Sequence, residues 1–171
     1  MNASMENMVD NAVASTPANA TANTVLSVSN LHAYYGESHI LHGVDFNINR
    51  GELVTLLGRN GAGRTTTLKA MLGLTGKRTG SIKIAGQEAI QLPTHKIARL
   101  GLGYCPEERG IFSSLSCEEN LLLPPQVGEG GMSVDEIYAM FQNLKERRNS
   151  QGTRLSGGEQ QMLAMARILR T

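Results

Sequence analysis

The chain has 171 residues, 40% hydrophobic and 18% charged, enough apolar material for one ordinary globular domain. Sixteen Lys and Arg stand against fifteen Asp and Glu, and this net charge of +1 argues against a general nucleic-acid binder. Aromatic residues make up only 4% with no Trp, which argues against base-stacking platforms, and no apolar run reaches the ~18 residues that span a bilayer.

Residues 1–23 are dominated by Ala, Asn, Ser and Thr and read as a disordered leader, too polar to offset its ordering entropy. Glu6 and Asp10, with no basic region or apolar stretch around them, make it unlike a secretory signal. From Thr24 the pattern changes. Residues 25–31 and 44–48 alternate like strands, and the apolar run 53–57 reads as a buried strand. Residues 65–74 have helical spacing, with Leu68, Met71 and Leu72 on the apolar side. A strand at 81–86, a short helix at 93–101 and a strand at 102–106 follow. The segment 117–123 predicts a helix stopped by Pro124 and Pro125. Beyond the Gly-rich stretch 128–131, an amphipathic helix is expected from Ser133 to about Arg148. A last helix runs from Gly158, with Met162, Met165, Ala166 and Leu169 on one side. Strands followed by mixed elements predict an α/β domain with an antiparallel edge.

Two segments carry chemistry. Gly58, Arg59, Asn60, Gly61, Ala62, Gly63, Arg64, Thr65 and Thr66 lie between the predicted strand 53–57 and the helix near Thr65. That is the strand–loop–helix setting of a phosphate-binding loop, where glycines aim backbone N–H groups inward and the helix N-terminus adds positive charge. Thr65 is placed to offer its hydroxyl to Mg²⁺, while Arg64 stands where the motif has Lys. A guanidinium keeps the charge but brings a wide planar fork on a longer stem. A glycine-rich turn without a ligand is the plainer alternative. The second segment, Leu155, Ser156, Gly157, Gly158, Glu159, Gln160 and Gln161, heads the final helix. Ser156 and Glu159 form a capping-box pattern, which starts helices of every kind. Two glycines in the first turn carry an intrinsic cost that a mere cap does not require, and bare amides there favour a second phosphate site.

LSGGEQQ resembles the signature motif of ATP-binding-cassette ATPases, and GRNGAGRTT resembles their Walker A loop. The resemblance runs from about Val25 to Thr171. It implies a P-loop NTPase (RecA-like) core with an antiparallel β subdomain and a helical signature subdomain over about 107–157, within a partial cassette spanning 24–171. It further implies ATP and Mg²⁺ as cofactors and two ATP-binding subunits packed head to tail. Leu155, Ser156, Gly157, Gly158, Glu159 and Gln160 would then face the nucleotide held by the other subunit. Tyr35 resembles the aromatic that stacks on adenine, with Tyr34 as the alternative one position away. Glu107 stands at the Q-loop position, normally Gln, as the candidate catalytic carboxylate; a solvated loop acid beside Glu108 is its plainer reading. YYGESHILHGV and GYCPEERGIF are similar to the ATPase subunit of branched-chain amino acid importers, with a related urea importer as the alternative. The resemblance implies a cytoplasmic protein held by membrane-spanning permease subunits on the inner face of the plasma membrane. The sequence ends one helix after the signature, before the strand that supplies the Walker B aspartate and catalytic glutamate in that family. A truncated ATPase subunit is therefore expected, and as a rival a nucleotide-binding remnant without turnover. His32, His39, His42 and His95 are expected to be surface or strand residues, and Cys105 and Cys117 small buried or half-buried thiols.

Overall fold

The computed structural model describes residues 23–126, 128 and 130–171. Residues 1–22 of the leader expected over 1–23, and position 129 of the Gly-rich stretch, lie outside the described residues.

The first half builds a four-stranded antiparallel sheet in the order β2-β1-β3-β4, from β1 (Thr24–Tyr35), β2 (Ser38–Asn49), β3 (Arg78–Ile84) and β4 (Gln87–Glu88). Both predicted strands at 25–31 and 44–48 are longer than their patterns, because the hairpin pairs them out to Tyr35 and Ser38. The alternation fades near residue 30 for a structural reason. The β1–β2 pairing shifts register between Val28 and Leu31, and Asn30 takes a left-handed φ of 48° there. This bulge changes the parity of the strand, so Leu26 and Val28 before it, and Leu31 and Ala33 after it, all reach the core. The Asp45 carboxylate accepts the Asn30 N–H at 2.8 Å and fixes the kink.

Two helices, α1 (Arg64–Met71) and α2 (Thr94–Arg99), pack on this sheet. In α1 the buried side is Thr67, Ala70 and Met71; Leu68, expected inside, is exposed. Leu31, Ile82 and Ile97 are wholly buried, each worth about 1.5–3 kcal/mol of transfer free energy. The half-buried Arg78 guanidinium ties the layers together. It donates to the carbonyls of Ala70 (2.6 Å), Ile90 (2.7 Å) and Leu92 (2.8 Å), joining the end of α1 to the turn after β4. Burial pushes its pKa down, yet a guanidinium stays charged there.

The second half forms a separate helical cluster from α3 (Cys117–Leu122), α4 (Val134–Met140), α5 (Gln142–Glu146) and α6 (Gly157–Leu169), with Leu121, Ile137, Leu144 and Leu163 at its centre. The single helix expected over 133–148 is broken at Phe141, whose φ of −121° and ψ of 73° leave the helical region. In α6 the buried residues are Leu163, Ala164 and Ala166, whereas Met165 and Leu169 lie exposed. Asn120 is wholly buried; its Oδ1 accepts the Phe112 N–H at 2.7 Å, and its amide donates to Phe112, Ser116 and Leu115 carbonyls. One side chain thus organises the loop 112–116.

Two expected strands are not formed. Residues 53–57 form no regular element and have no backbone hydrogen bond to the other described residues, and Leu53 and Leu57 are 95% and 83% exposed. Residues 102–106 also lie outside any strand. An apolar run of this kind draws its stability from strands on both sides and cover on both faces. The four paired strands all belong to the antiparallel sheet, and none adjoins 53–57. Apolar composition specified burial, and the partner needed to satisfy it is not among the described segments.

Candidate functional site

The glycine loop delivers its residues to one place. Gly61 and Gly63 have φ of 83° and 87°, and Gly63 is the N-cap of α1. No side chain caps that helix and no acidic residue lies in its first turn, so its leading N–H groups and partial positive charge are left for an external anion. The Ala62 N–H donates to the Arg59 carbonyl at 3.1 Å, and the Thr67 N–H and hydroxyl both donate to the Gly63 carbonyl. Gly63 is required twice over. Besides its φ, a Cβ there would stand 2.7 Å from Leu41 Cδ2, because β2 passes directly beneath the loop. A Cβ on Gly58 would stand 3.0 Å from the Ala62 methyl, on the side where the stem of Arg64 also lies.

Arg64 donates to Asn60 Oδ1 at 3.3 Å across the loop, so the guanidinium lies over the nest rather than away from it. Arg59, Asn60 and Thr65 are exposed and Thr66 is half-buried. A free helix N-terminus, converging amides, a guanidinium and an exposed threonine hydroxyl suit a polyphosphate carrying a hard divalent cation. The residues fit such a group on that ground, and Thr65 is the exposed hydroxyl among them.

Tyr35 and Tyr34 are separated by the pleat. Tyr34 stacks on His39 with ring centroids 4.3 Å apart and planes 11° from parallel. Tyr35 follows on the opposite side of β1, that of Leu31 and Ala33, and is 44% exposed. Ala33 pairs with Leu41, the residue beneath Gly63, so Tyr35 is the tyrosine on the side of the phosphate loop.

The second segment lies in the helical cluster, and no hydrogen bond among the described residues joins it to 58–66. Ser156 is the N-cap of α6 in a closed capping box: its Oγ accepts the Glu159 N–H at 3.3 Å, and Glu159 accepts the Ser156 N–H at 2.7 Å. Those bonds hold the Glu159 carboxyl below the usual range, backbone bond first and hydroxyl next. Leu155 is buried, while Ser156, Gly157 and Gly158 are exposed. Gln160 is committed inward. Its amide donates to the Gly152 and Leu155 carbonyls, and its Oε1 accepts from Arg109 at 2.7 Å. Sequence reasoning missed Arg109, which has a left-handed φ of 63° and no motif to mark it. Glu107, two residues earlier on the same loop, is exposed.

A glycine-rich loop entering an uncapped helix beside an antiparallel sheet, with a separate helical unit headed by a Ser-Gly-Gly turn, has the layout of a nucleotide-binding cassette. The sequence profile of the ABC transporter family matches residues 41–171, and the chain belongs to that family. It is 38% identical over 148 residues to the high-affinity branched-chain amino acid transport ATP-binding protein BraG of Pseudomonas aeruginosa, covering 85% of this chain and 64% of that protein. It is 36% identical over 154 residues to the lipopolysaccharide export system ATP-binding protein LptB of Haemophilus influenzae, covering 85% and 63%. Among solved structures, the dimeric bacterial ABC transporter cassette MJ0796 superposes with a TM-score of 0.71 at 27% identity, covering 85% of this chain and 69% of that one. The chain therefore spans less than two thirds of the length of both curated relatives.

Proposed function

We propose that the chain acts as an ATP-binding subunit of an ABC transporter. Mg²⁺–ATP would be held by Gly58, Arg59, Asn60, Gly61, Ala62, Gly63, Arg64, Thr65 and Thr66, with adenine on Tyr35. The observation that carries this is the uncapped N-terminus of α1 entered through left-handed Gly63. Within Leu155, Ser156, Gly157, Gly158, Glu159 and Gln160, the exposed Ser-Gly-Gly turn would face the nucleotide of a second ATP-binding subunit, with buried Leu155 and inward-bonded Gln160 holding it in place. Domain bounds of 24–171 for the cassette and about 107–157 for its helical unit belong to the same reading.

When bound, Mg²⁺ would neutralise charge on the phosphates. Backbone amides of Gly61, Gly63, Arg64 and Thr65 orient the polyphosphate, Arg64 supplies the cationic side chain, and Glu107 is the candidate carboxylate for holding a proton of attacking water. The finer reading is branched-chain amino acid uptake through permease subunits at the inner face of the plasma membrane, supported by the similarity to BraG. Similarity to LptB at nearly the same identity keeps lipid export as the competing cargo. No described helix is long and apolar enough to cross a membrane.

A second reading, nucleotide binding without turnover, is favoured by Arg64 lying across the loop. The experiment is a titration with a fluorescent ATP analogue, paired with phosphate release in excess Mg²⁺–ATP. Saturable binding lost in Thr65→Ala without EDTA-insensitive residue supports the site. Absence of saturable binding by folded protein rejects it. Release above the Thr65→Ala control, abolished also by Glu107→Gln, rejects the second reading.

A further inference from the structure

Arg109 carries a positive charge that the loop 58–66 does not use. Among the described residues the one ion pair is Arg147 with Glu159, at 3.7 Å, so the half-buried Arg109 guanidinium has no carboxylate beside it. A cation partly withdrawn from water without a counter-charge is held at a cost that an arriving anion offsets. The backbone beneath it is unrelaxed as well. Arg109 and Gly110 take consecutive left-handed φ of 63° and 62°, a region that glycine enters freely and arginine does not.

The loop that bears Arg109 is fixed on α6 from both sides. Before it, the Gln161 amide donates to Cys105 Sγ at 3.8 Å; after it, Arg167 donates to the Gly110 carbonyl and lies 5.3 Å over the Phe112 ring. The Arg109 N–H closes a turn on the Pro106 carbonyl at 3.1 Å. The guanidinium itself is held by one edge. Its Nη1 donates to Gln160 Oε1 at 2.7 Å, and Gln160 is in turn anchored on the Gly152 and Leu155 carbonyls. Nη2 has no acceptor among the described residues and lies against Gly157, where a Cβ would stand 3.4 Å from it. The exposed Ser-Gly-Gly turn therefore has an aimed, unpaired N–H edge at its side. The acid of that turn, Glu159, is already engaged by the Ser156 N–H and by Arg147. A planar guanidinium with one edge fixed and the other free suits a phosphate oxygen.

We propose that Arg109 is a specificity-determining residue of the second phosphate site, its Nη2 edge meeting the terminal phosphate of a nucleoside triphosphate carried by a second copy of this chain. A diphosphate, one phosphate shorter, leaves that edge unmet. This rests on the reading of the Ser-Gly-Gly turn given above and adds what the turn distinguishes.

The test follows self-association of the full chain by sedimentation velocity with the Mg²⁺ complexes of ADP and of imido-ATP, a triphosphate that is not hydrolysed. The native chain should dimerise about tenfold or more tightly with the triphosphate, the usual worth of one charge-assisted hydrogen bond to phosphate. Arg109→Gly suits the left-handed backbone and so keeps the fold, which circular dichroism checks. In that variant the ratio of the two dimer dissociation constants should fall to within about twofold of unity. Binding of a fluorescent ATP analogue by the monomer should be unchanged. Arg109→Lys, which keeps the charge without the fork, should fall between. A native ratio retained in Arg109→Gly overturns the inference, and so does a dimer weakened equally with both nucleotides, the mark of a merely structural residue. Nucleotide binding without triphosphate-driven association of the native chain overturns it together with the second-subunit arrangement. Absence of nucleotide binding overturns the reading of 58–66 as well.

Discussion

Gly63→Ala tests whether the phosphate loop has the shape described. The residue has a φ of 87°, a region where a Cβ costs about 1–2 kcal/mol. The same Cβ would stand 2.7 Å from Leu41 Cδ2, well inside ordinary carbon contact, and relieving such overlap costs about 1–3 kcal/mol. Together a loss of about 2–5 kcal/mol is expected, a large share of the ~5–15 kcal/mol that holds a domain together. The two contributions separate in a double-mutant cycle. Leu41 is 3% exposed, so Leu41→Ala alone costs about 2–5 kcal/mol, but it also vacates the space the new methyl needs. The double variant should therefore be about 1–2 kcal/mol more stable than the sum of the singles predicts. Urea unfolding of all four proteins, followed by far-ultraviolet circular dichroism, measures this. A Gly63→Ala cost below about 0.5 kcal/mol would refute the left-handed cap, and additive singles would refute the Leu41 contact.

Asn120→Leu should destabilise by about 1–3 kcal/mol, since it strands the Phe112 N–H and removes one of two donors from each of three carbonyls, and chemical denaturation should show it. Glu119, Glu136 and Glu159 close the capping boxes of α3, α4 and α6, and all three titrate below the ordinary 4.5 because the cap N–H and hydroxyl favour the anion. Their contribution is therefore fully present above pH ~4.5 and lost as pH falls through the depressed values. Acid titration of helicity should show the loss, and replacing the three by Gln should flatten it. Arg64→Lys should tighten binding of a fluorescent ATP analogue, because a compact ammonium does not bridge to Asn60 across the nest. Unchanged or weaker binding would mean the loop is adapted to arginine.

The sequence was most informative where local chemistry decides structure. Ser156 with Glu159, the proline stop after 117–123 and the glycine spacing of 58–63 each act within a few residues, and each is where the pattern placed it. Patterns that depend on a distant partner were less legible. The run 53–57 declares burial without saying what buries it, and Leu53 lies open. Phe141 breaks a helix that periodicity carried through, since α4 and α5 each pack their own face on the helical cluster. Asn120 and Arg78 are ordinary polar residues in sequence, and only the folded loop reveals the carbonyls they gather. Leu41 beneath Gly63 is of the same kind, a long-range contact that explains a motif residue no motif mentions.

Hydrogen exchange of the backbone amides with and without saturating Mg²⁺–ATP addresses the central claim most directly. Apart from Ala62, whose N–H donates to the Arg59 carbonyl, the amides from Asn60 to Thr66 have no helix cap or acidic neighbour to satisfy them, and a bound polyphosphate would. Their exchange should slow by about tenfold or more at saturation, with no such change at Ser156 to Glu159 in the isolated chain. Unaltered exchange across 60–66, or protection confined to another segment, would contradict the assignment of this loop as the phosphate site.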